Sequence, residues 1–234
     1  MVSGSILAQD RFLRTGEEFF DHELYREALQ EFNKIENPES DRELLLMRMI
    51  SNFEINRIDE AKLDISRLLA FRRQEDKLYL YIAKIYHSEL NFRKAVEYYK
   101  EYLRRTNSKD PLRAMVITEI KRCAAGINLK FYDQLAFVEN MGNKVNSTND
   151  EIDPIQSPNY LNKYYFSSNR PLSEGGKRNK QGLKDNMYGK YNFDMYTASL
   201  ENGEWSEVQP LNDLLNTGRH ERVLDFSGDG SVLL

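Results

Sequence analysis

The sequence predicts an α + β multidomain chain, an α-helical solenoid followed by repeated units of short antiparallel strands. Three observations carry this expectation. Residues 8–129 hold only two glycines and two prolines and space their apolar side chains by three and four, the pattern of amphipathic helices. Within that half Ala28, Ala61 and Ala95 stand 33 and 34 residues apart. After Asp133 the texture turns to tyrosine, asparagine, serine and glycine in short alternating runs, and matched positions there recur at a single offset of 70.

The helical elements follow from that period. Three segments align: FLRTGEEFFDHELYREALQEFNKI from Phe12, LLMRMISNFEINRIDEAKLDISRLL from Leu45 and YLYIAKIYHSELNFRKAVEYYKEYL from Tyr79. In the first, Phe12, Gly16, Phe19, Ala28 and Phe32 alternate large and small side chains, and in the third Tyr79, Ala83, Tyr86, Ala95 and Tyr99 do the same. An alanine lets two helices approach closely, and the aromatic beside it fills the groove. This pattern resembles the tetratricopeptide repeat. The second copy departs from it with Met49 and Asn52, so a splayed or shifted helix pair is expected there. Residues 113–130, after Asp110-Pro111, read as a seventh helix that closes the stack.

The resemblance implies that the first helix of each pair lines a concave face. Carried over by position, the lining is Asp10, Leu13, Glu17 and Phe20, then Glu43, Leu46, Ile50 and Phe53, then Lys77, Leu80, Lys84 and His87. Two readings stand: a groove for a partner's peptide or helix, or side chains covered by the curl of the stack, by the closing helix or by the second domain. The basic and asparagine residues with which tetratricopeptide chaperone adaptors clamp a terminal carboxylate do not recur.

In the second half Leu135, Val138, Met141, Asn146, Glu151 and Ser157 are matched 70 residues later by Trp205, Val208, Leu211, Asn216, Glu221 and Ser227. One unit holds four strand candidates, at 152–156, 163–168, 193–200 and 204–210, with Asn202-Gly203 as the hairpin turn between the last two. Four strands per unit is the make-up of a propeller blade. The stretches SPNYLNKYYFSSNRP, YNFDMYTASLENGEWSEVQPL and LNTGRHERVLDFSGDGSVLL resemble the WD-like propeller repeats of bacterial envelope proteins. The resemblance implies that residues 135–141 are a fourth, outermost strand and that FSGDGSVLL opens a second blade, so the propeller portion is expected to be incomplete. Domain boundaries are read as a tail at 1–8, a tetratricopeptide domain at 9–131 and a propeller portion at 132–234. Between the strands, residues 172–190 carry five basic side chains against two acidic ones, which fits a recognition loop for an acidic partner or a solvated insertion.

Composition bounds the function. A net charge of −4 argues against a general nucleic-acid binder, and no stretch has the roughly 18 apolar residues of a membrane span. MVSGSILAQ fits either the tail of a secretory signal or an arbitrary start. One cysteine rules out an internal disulfide and a thiolate zinc cage. His22, His87 and His220 sit in different repeats, so no metal site is expected of them. Gly175-Gly176-Lys177 lacks the spacing of a phosphate loop, and no nucleophile elbow is present. Asp225 and Asp229 fit turn residues better than calcium ligands. No catalytic residue, cofactor or metal is therefore expected.

Helical repeats followed by such blades resemble the N-terminal part of PorE-type proteins of type IX secretion and gliding systems, which end in an OmpA-type peptidoglycan-binding domain. The resemblance implies a non-enzymatic, periplasmic, outer-membrane-associated scaffold whose partners are other envelope proteins, with peptidoglycan reached through the OmpA-type domain. The other readings are a hydrolase gated by its propeller, with its catalytic domain beyond residue 234, and a glycan-binding module.

Overall fold

The computed structural model describes residues 2–129 and 138–234, with backbone alone for residues 2–7. The chain divides into two compact units, residues 1–135 and 136–234. The expected strand at 135–141 falls partly outside the described residues, and 138–141 form no strand. No helix among the described residues is long and apolar enough to cross a membrane.

Helices α1 (Val2–Asp21) and α2 (Tyr25–Phe32), α3 (Arg42–Glu54) and α4 (Ile58–Leu69), and α5 (Asp76–Ser88) and α6 (Phe92–Arg105) form three helical hairpins, followed by α7 (Arg113–Leu129). Helix α1 thus includes residues read above as a tail. The hairpins turn through one device used three times. Glu23, Asn56 and Leu90 adopt left-handed φ values of 59°, 60° and 58°, and the next residue donates its N–H back to the carbonyl five positions earlier: Leu24 to Phe19, Arg57 to Asn52 and Asn91 to Tyr86. This satisfies a carbonyl that the helix end leaves open.

Size decides the packing within each hairpin. Ala28, Ala61 and Ala95 have no exposed surface, and a Cβ on Gly16 would stand 2.4 Å from the Phe32 ring. The second hairpin is not splayed: Met49 is fully buried, and Asn52, at 4% exposure, hydrogen-bonds the buried Asp64. Asp64 also accepts from Arg67 Nη1 at 2.9 Å and faces Arg48 Nε at 3.7 Å, so a buried polar group replaces the expected large apolar one. Three apolar clusters succeed one another along the stack, around Phe32 and Leu44, around Met49 and Ile82, and around Tyr99 and Val116.

The second unit is built on an antiparallel sheet in the order β1 (Glu151–Gln156), β2 (Lys163–Ser168), β5 (Asp194–Glu201), with β6 (Glu204–Trp205) and β7 (Gln209–Pro210) both on the far edge of β5. The expected last strand is thus split in two, because Ser206 bonds Ser199 through both its N–H and its Oγ. Pro154 sits at a bulge in the edge strand β1. Asn202 and Gly203 both take positive φ, 53° and 83°, as a two-residue hairpin requires. Alternation sends Tyr164, Phe166, Tyr196 and Ala198 to one face, where Val145 packs on them. Tyr165 and Ser167 point to the other, where Phe226 meets Tyr165 edge-on and Val223 N donates to Ser167 Oγ.

The insertion at 172–190 is folded. Short strands β3 (Lys177–Arg178) and β4 (Lys190–Tyr191) pair, and Asn179 and Asp185 each accept two backbone N–H groups through Oδ1. The final segment forms a turn in which Asp229 Oδ1 accepts from Ser227 Oγ and from both N and Oγ of Ser231. Those donors hold its pKa down at about 2, the behaviour of a turn aspartate.

Candidate functional site

Helices α1, α3 and α5 place the twelve candidate lining residues in three unlike settings. On α1 and α3, Asp10 and Glu43 are exposed, while Leu13, Glu17, Phe20, Leu46 and Phe53 are half-buried. Ile50, 6% exposed, belongs to the core between hairpins. On α5, Lys77 is exposed, but Leu80 is 3% exposed in the cluster that α7 completes with Val116 and Cys123. His87 is also turned toward α7: its Nδ1 lies 3.5 Å from Glu119 Oε2 and 3.4 Å from the Tyr99 hydroxyl.

Lys84 is engaged at short range. Its ammonium sits 4.5 Å over the Tyr81 ring and 5.5 Å over Phe53, and lies 3.6 Å from Glu54 Oε1. The Tyr81 hydroxyl donates to the same Glu54 oxygen at 3.0 Å, and burial followed by that carboxylate pushes the Tyr81 pKa far up. Phe53 and Tyr81 meet edge to face at 5.4 Å. A cation held by a carboxylate and two aromatic faces has little left to offer a ligand.

Besides Lys77 on α5, what stays open lies on α1 and α3, where carboxylates accompany half-buried apolar side chains. Burial first, then the neighbouring Asp21, Asp41 and Glu43, push the Glu17 carboxyl above its usual range, against the opposing pull of Arg14. Asp41 is fixed as the N-cap of α3, its Oδ1 accepting from Glu43 N and Leu44 N at 2.9 and 3.1 Å. Clustered carboxylates beside Leu13, Phe20, Leu46 and Phe53 favour a cationic side chain on an apolar partner surface.

The residues that sequence reasoning missed here are Tyr25, Glu54 and Tyr81. Tyr25 closes on Phe20 across the hairpin turn at 5.8 Å, as Phe92 closes on His87 at 5.7 Å. The signal was available in the repeat itself, since the pairs 20/25 and 87/92 have the same spacing.

Chemical groups elsewhere have structural partners. No group of three or more His, Cys, Asp or Glu among the described residues could hold a metal ion. Cys123 is buried, with its thiol pKa raised by that burial. Trp205 packs edge-on against Tyr164 at 5.2 Å. Arg170 stacks over Phe166 and Tyr196 and reaches Glu151 Oε1 and Val145 O at 3.0 and 2.8 Å, which ties the 141–147 loop to its sheet.

No family model matches the sequence, and no curated protein does. Among solved structures, the TPR2AB domain of yeast Sti1, in a complex with pHSP90, aligns over 52% of this chain and 48% of its own at 19% identity and a TM-score of 0.41. The MamA protein aligns over 56% of this chain and 79% of its own at 18% identity and a TM-score of 0.40. The chain thus spans about half the length of the Sti1 chain it matches.

Proposed function

We propose that the protein is a non-enzymatic docking scaffold whose helical unit is a tetratricopeptide-type stack, and that the α1/α3 face receives a basic, apolar segment of a partner protein. One observation carries this reading: burial and the charges of Asp21, Asp41 and Glu43 raise the Glu17 carboxyl, and Leu13, Phe20, Leu46 and Phe53 on the same two helices are half-buried. Coulombic steering by clustered carboxylates raises the encounter rate, and the apolar strip supplies the affinity. The narrower reading, from the resemblance of the sheet repeats to envelope propellers, is an outer-membrane-associated periplasmic assembly for secretion or motility.

The test is recovery of partners from an envelope extract by the full-length protein and by Leu46→Asp and Phe53→Asp variants. A specific partner retained by the wild type and lost from both variants, with circular dichroism unchanged, is the expected result. Equal recovery of every partner removes the α1/α3 face from the proposal.

A further inference from the structure

The folded insertion closes on the turn at residues 217–220, backbone against backbone. A Cβ on Gly175, whose φ is +80°, would stand 2.5 Å from Gly218 Cα and 3.1 Å from Arg178 Nη2, and a Cβ on Gly218 would stand 2.7 Å from that same nitrogen. The Arg178 guanidinium is therefore clamped between two glycines, with Nη1 donating to Gly182 O at 2.9 Å. Its Nε is buried and has no hydrogen-bond partner among the described residues. A cavity of ≈ 580 Å³ opens here, lined by Arg178, Asn179, Lys180, Arg219 and His220 and by no carboxylate among the described residues.

The lining is rich in open donors and poor in open acceptors. Asn179 Oδ1 already accepts from Gln181 N and Leu183 N, both at 3.0 Å, which leaves its Nδ2 as the open end. Phe193 N donates to His220 Nδ1 at 3.2 Å, which puts the ring proton on Nε2 and makes that nitrogen a donor. Thr217 Oγ1 accepts from Arg219 N and donates to Glu221 Oε1, so this neighbouring carboxylate is engaged outside the lining. Asn192 Oδ1 is the exception, an acceptor without a partner among the described residues. Neither Arg178 nor Arg219 forms an ion pair among the described residues.

The turn itself does not require these cations. Seventy residues earlier Ser147 makes the same two bonds to Glu151 that Thr217 makes to Glu221, and Asn149 N caps on Ser147 Oγ as Arg219 N caps on Thr217 Oγ1. In that copy Asn149 and Asp150 stand where this one has Arg219 and His220. The basic pair is thus confined to the turn that the insertion meets.

We infer that this cavity is a binding site for a phosphate group, carried by the free ion or by a monoester of a small molecule. Two guanidinium groups without a carboxylate partner are matched by one doubly charged acceptor. A phosphate monoester carries about −1.5 to −2 at pH 7 and meets guanidinium through two parallel N–H···O bonds. A carboxylate would leave one positive charge uncompensated. The glycine clamp holds the Arg178 guanidinium in place beforehand, so little side-chain freedom is lost on binding. The site belongs to the sheet unit alone and is independent of the docking role of the α1/α3 face.

The test is a titration of the full chain, labelled for NMR, with inorganic phosphate and with glycerol 3-phosphate at pH 7, ionic strength being held constant with sodium chloride. Saturable amide shifts confined to residues 175–182 and 217–220 are expected, with sodium acetate at least tenfold weaker. Arg219→Gln, at an exposed side chain, is expected to weaken binding about tenfold with circular dichroism unchanged, and Arg178→Gln to weaken it at least as much. Tighter binding of the ester assigns the ligand to phosphate esters, tighter binding of inorganic phosphate to the free ion, and both uphold the site. Absence of saturable shifts at millimolar phosphate, acetate binding as well as phosphate, or undiminished binding by Arg219→Gln overturns the inference.

Discussion

The two units repeat by opposite means. In the helical unit each hairpin closes through its own left-handed turn, with an alanine of its own second helix admitting the first, and successive hairpins meet through apolar side chains. In the sheet unit a period depends on its neighbour. The second copy's Asn216 holds the first copy's β5, its Val223 N caps Ser167, and Asn159 Nδ2 donates forward to Gly230 O. The contrast lies in what joins one period to the next. Successive helical hairpins are joined by van der Waals fit of apolar side chains, whereas sheet edges require hydrogen-bond partners from outside the unit.

If that contrast holds, damage in the helical unit acts through volume. Tyr99→Ala empties a site only 1% exposed and is expected to cost about 3–5 kcal/mol, read from urea unfolding followed by far-ultraviolet circular dichroism. A cost below about 1 kcal/mol would mean that the cluster around Tyr99 is loosely packed. In the sheet unit the same purpose is served by a polar side chain. Asn216→Ala leaves the Met195 N–H buried and unpaired and is expected to cost about 2–4 kcal/mol, against less than about 0.5 kcal/mol for Asn146→Ala. Unfolding followed by the fluorescence of Trp205, the one tryptophan, separates them, and equal costs would erase the distinction between the two copies.

The smallest expected effect is a pH dependence at Asp194. Burial raises its pKa to about 6, against the bond it accepts from Glu174 N, and Glu221 and Glu174 add to the rise. A raised folded-state value means that the protonated form is favoured by folding. The stabilisation is fully present below the unfolded value and is lost as pH rises through about 6. The sheet unit should therefore melt at a higher temperature at pH 5 than at pH 7, relative to Asp194→Asn. Parallel melting curves for the two proteins across that range would count against the assignment.

Much of this was legible because single side-chain types decide it. The three alanines mark where helices touch, and Asn202-Gly203 marks a hairpin, since few other pairs tolerate two positive φ values. The hairpin turns at Glu23, Asn56 and Leu90 were hidden, because the left-handed residue is not glycine in any of them. Asn52 read as a defect in its repeat, since its partner Asp64 lies on the following helix and only packing brings them together. The candidate groove was legible by position. Covering by the closing helix was one of the two readings made of it, but which residues α7 would cover, Leu80 and His87 on α5, was not legible, because α7 lacks a repeat partner that would predict its face.

The docking role is tested most directly by the affinity of a recovered partner for the full chain, measured against ionic strength for the wild type and for Glu17→Lys/Glu43→Lys. Binding that weakens with salt in the wild type, and falls at least tenfold on charge reversal at constant fold, is the expected result. Affinity that is indifferent to both salt and reversal would contradict an acidic docking face on α1 and α3.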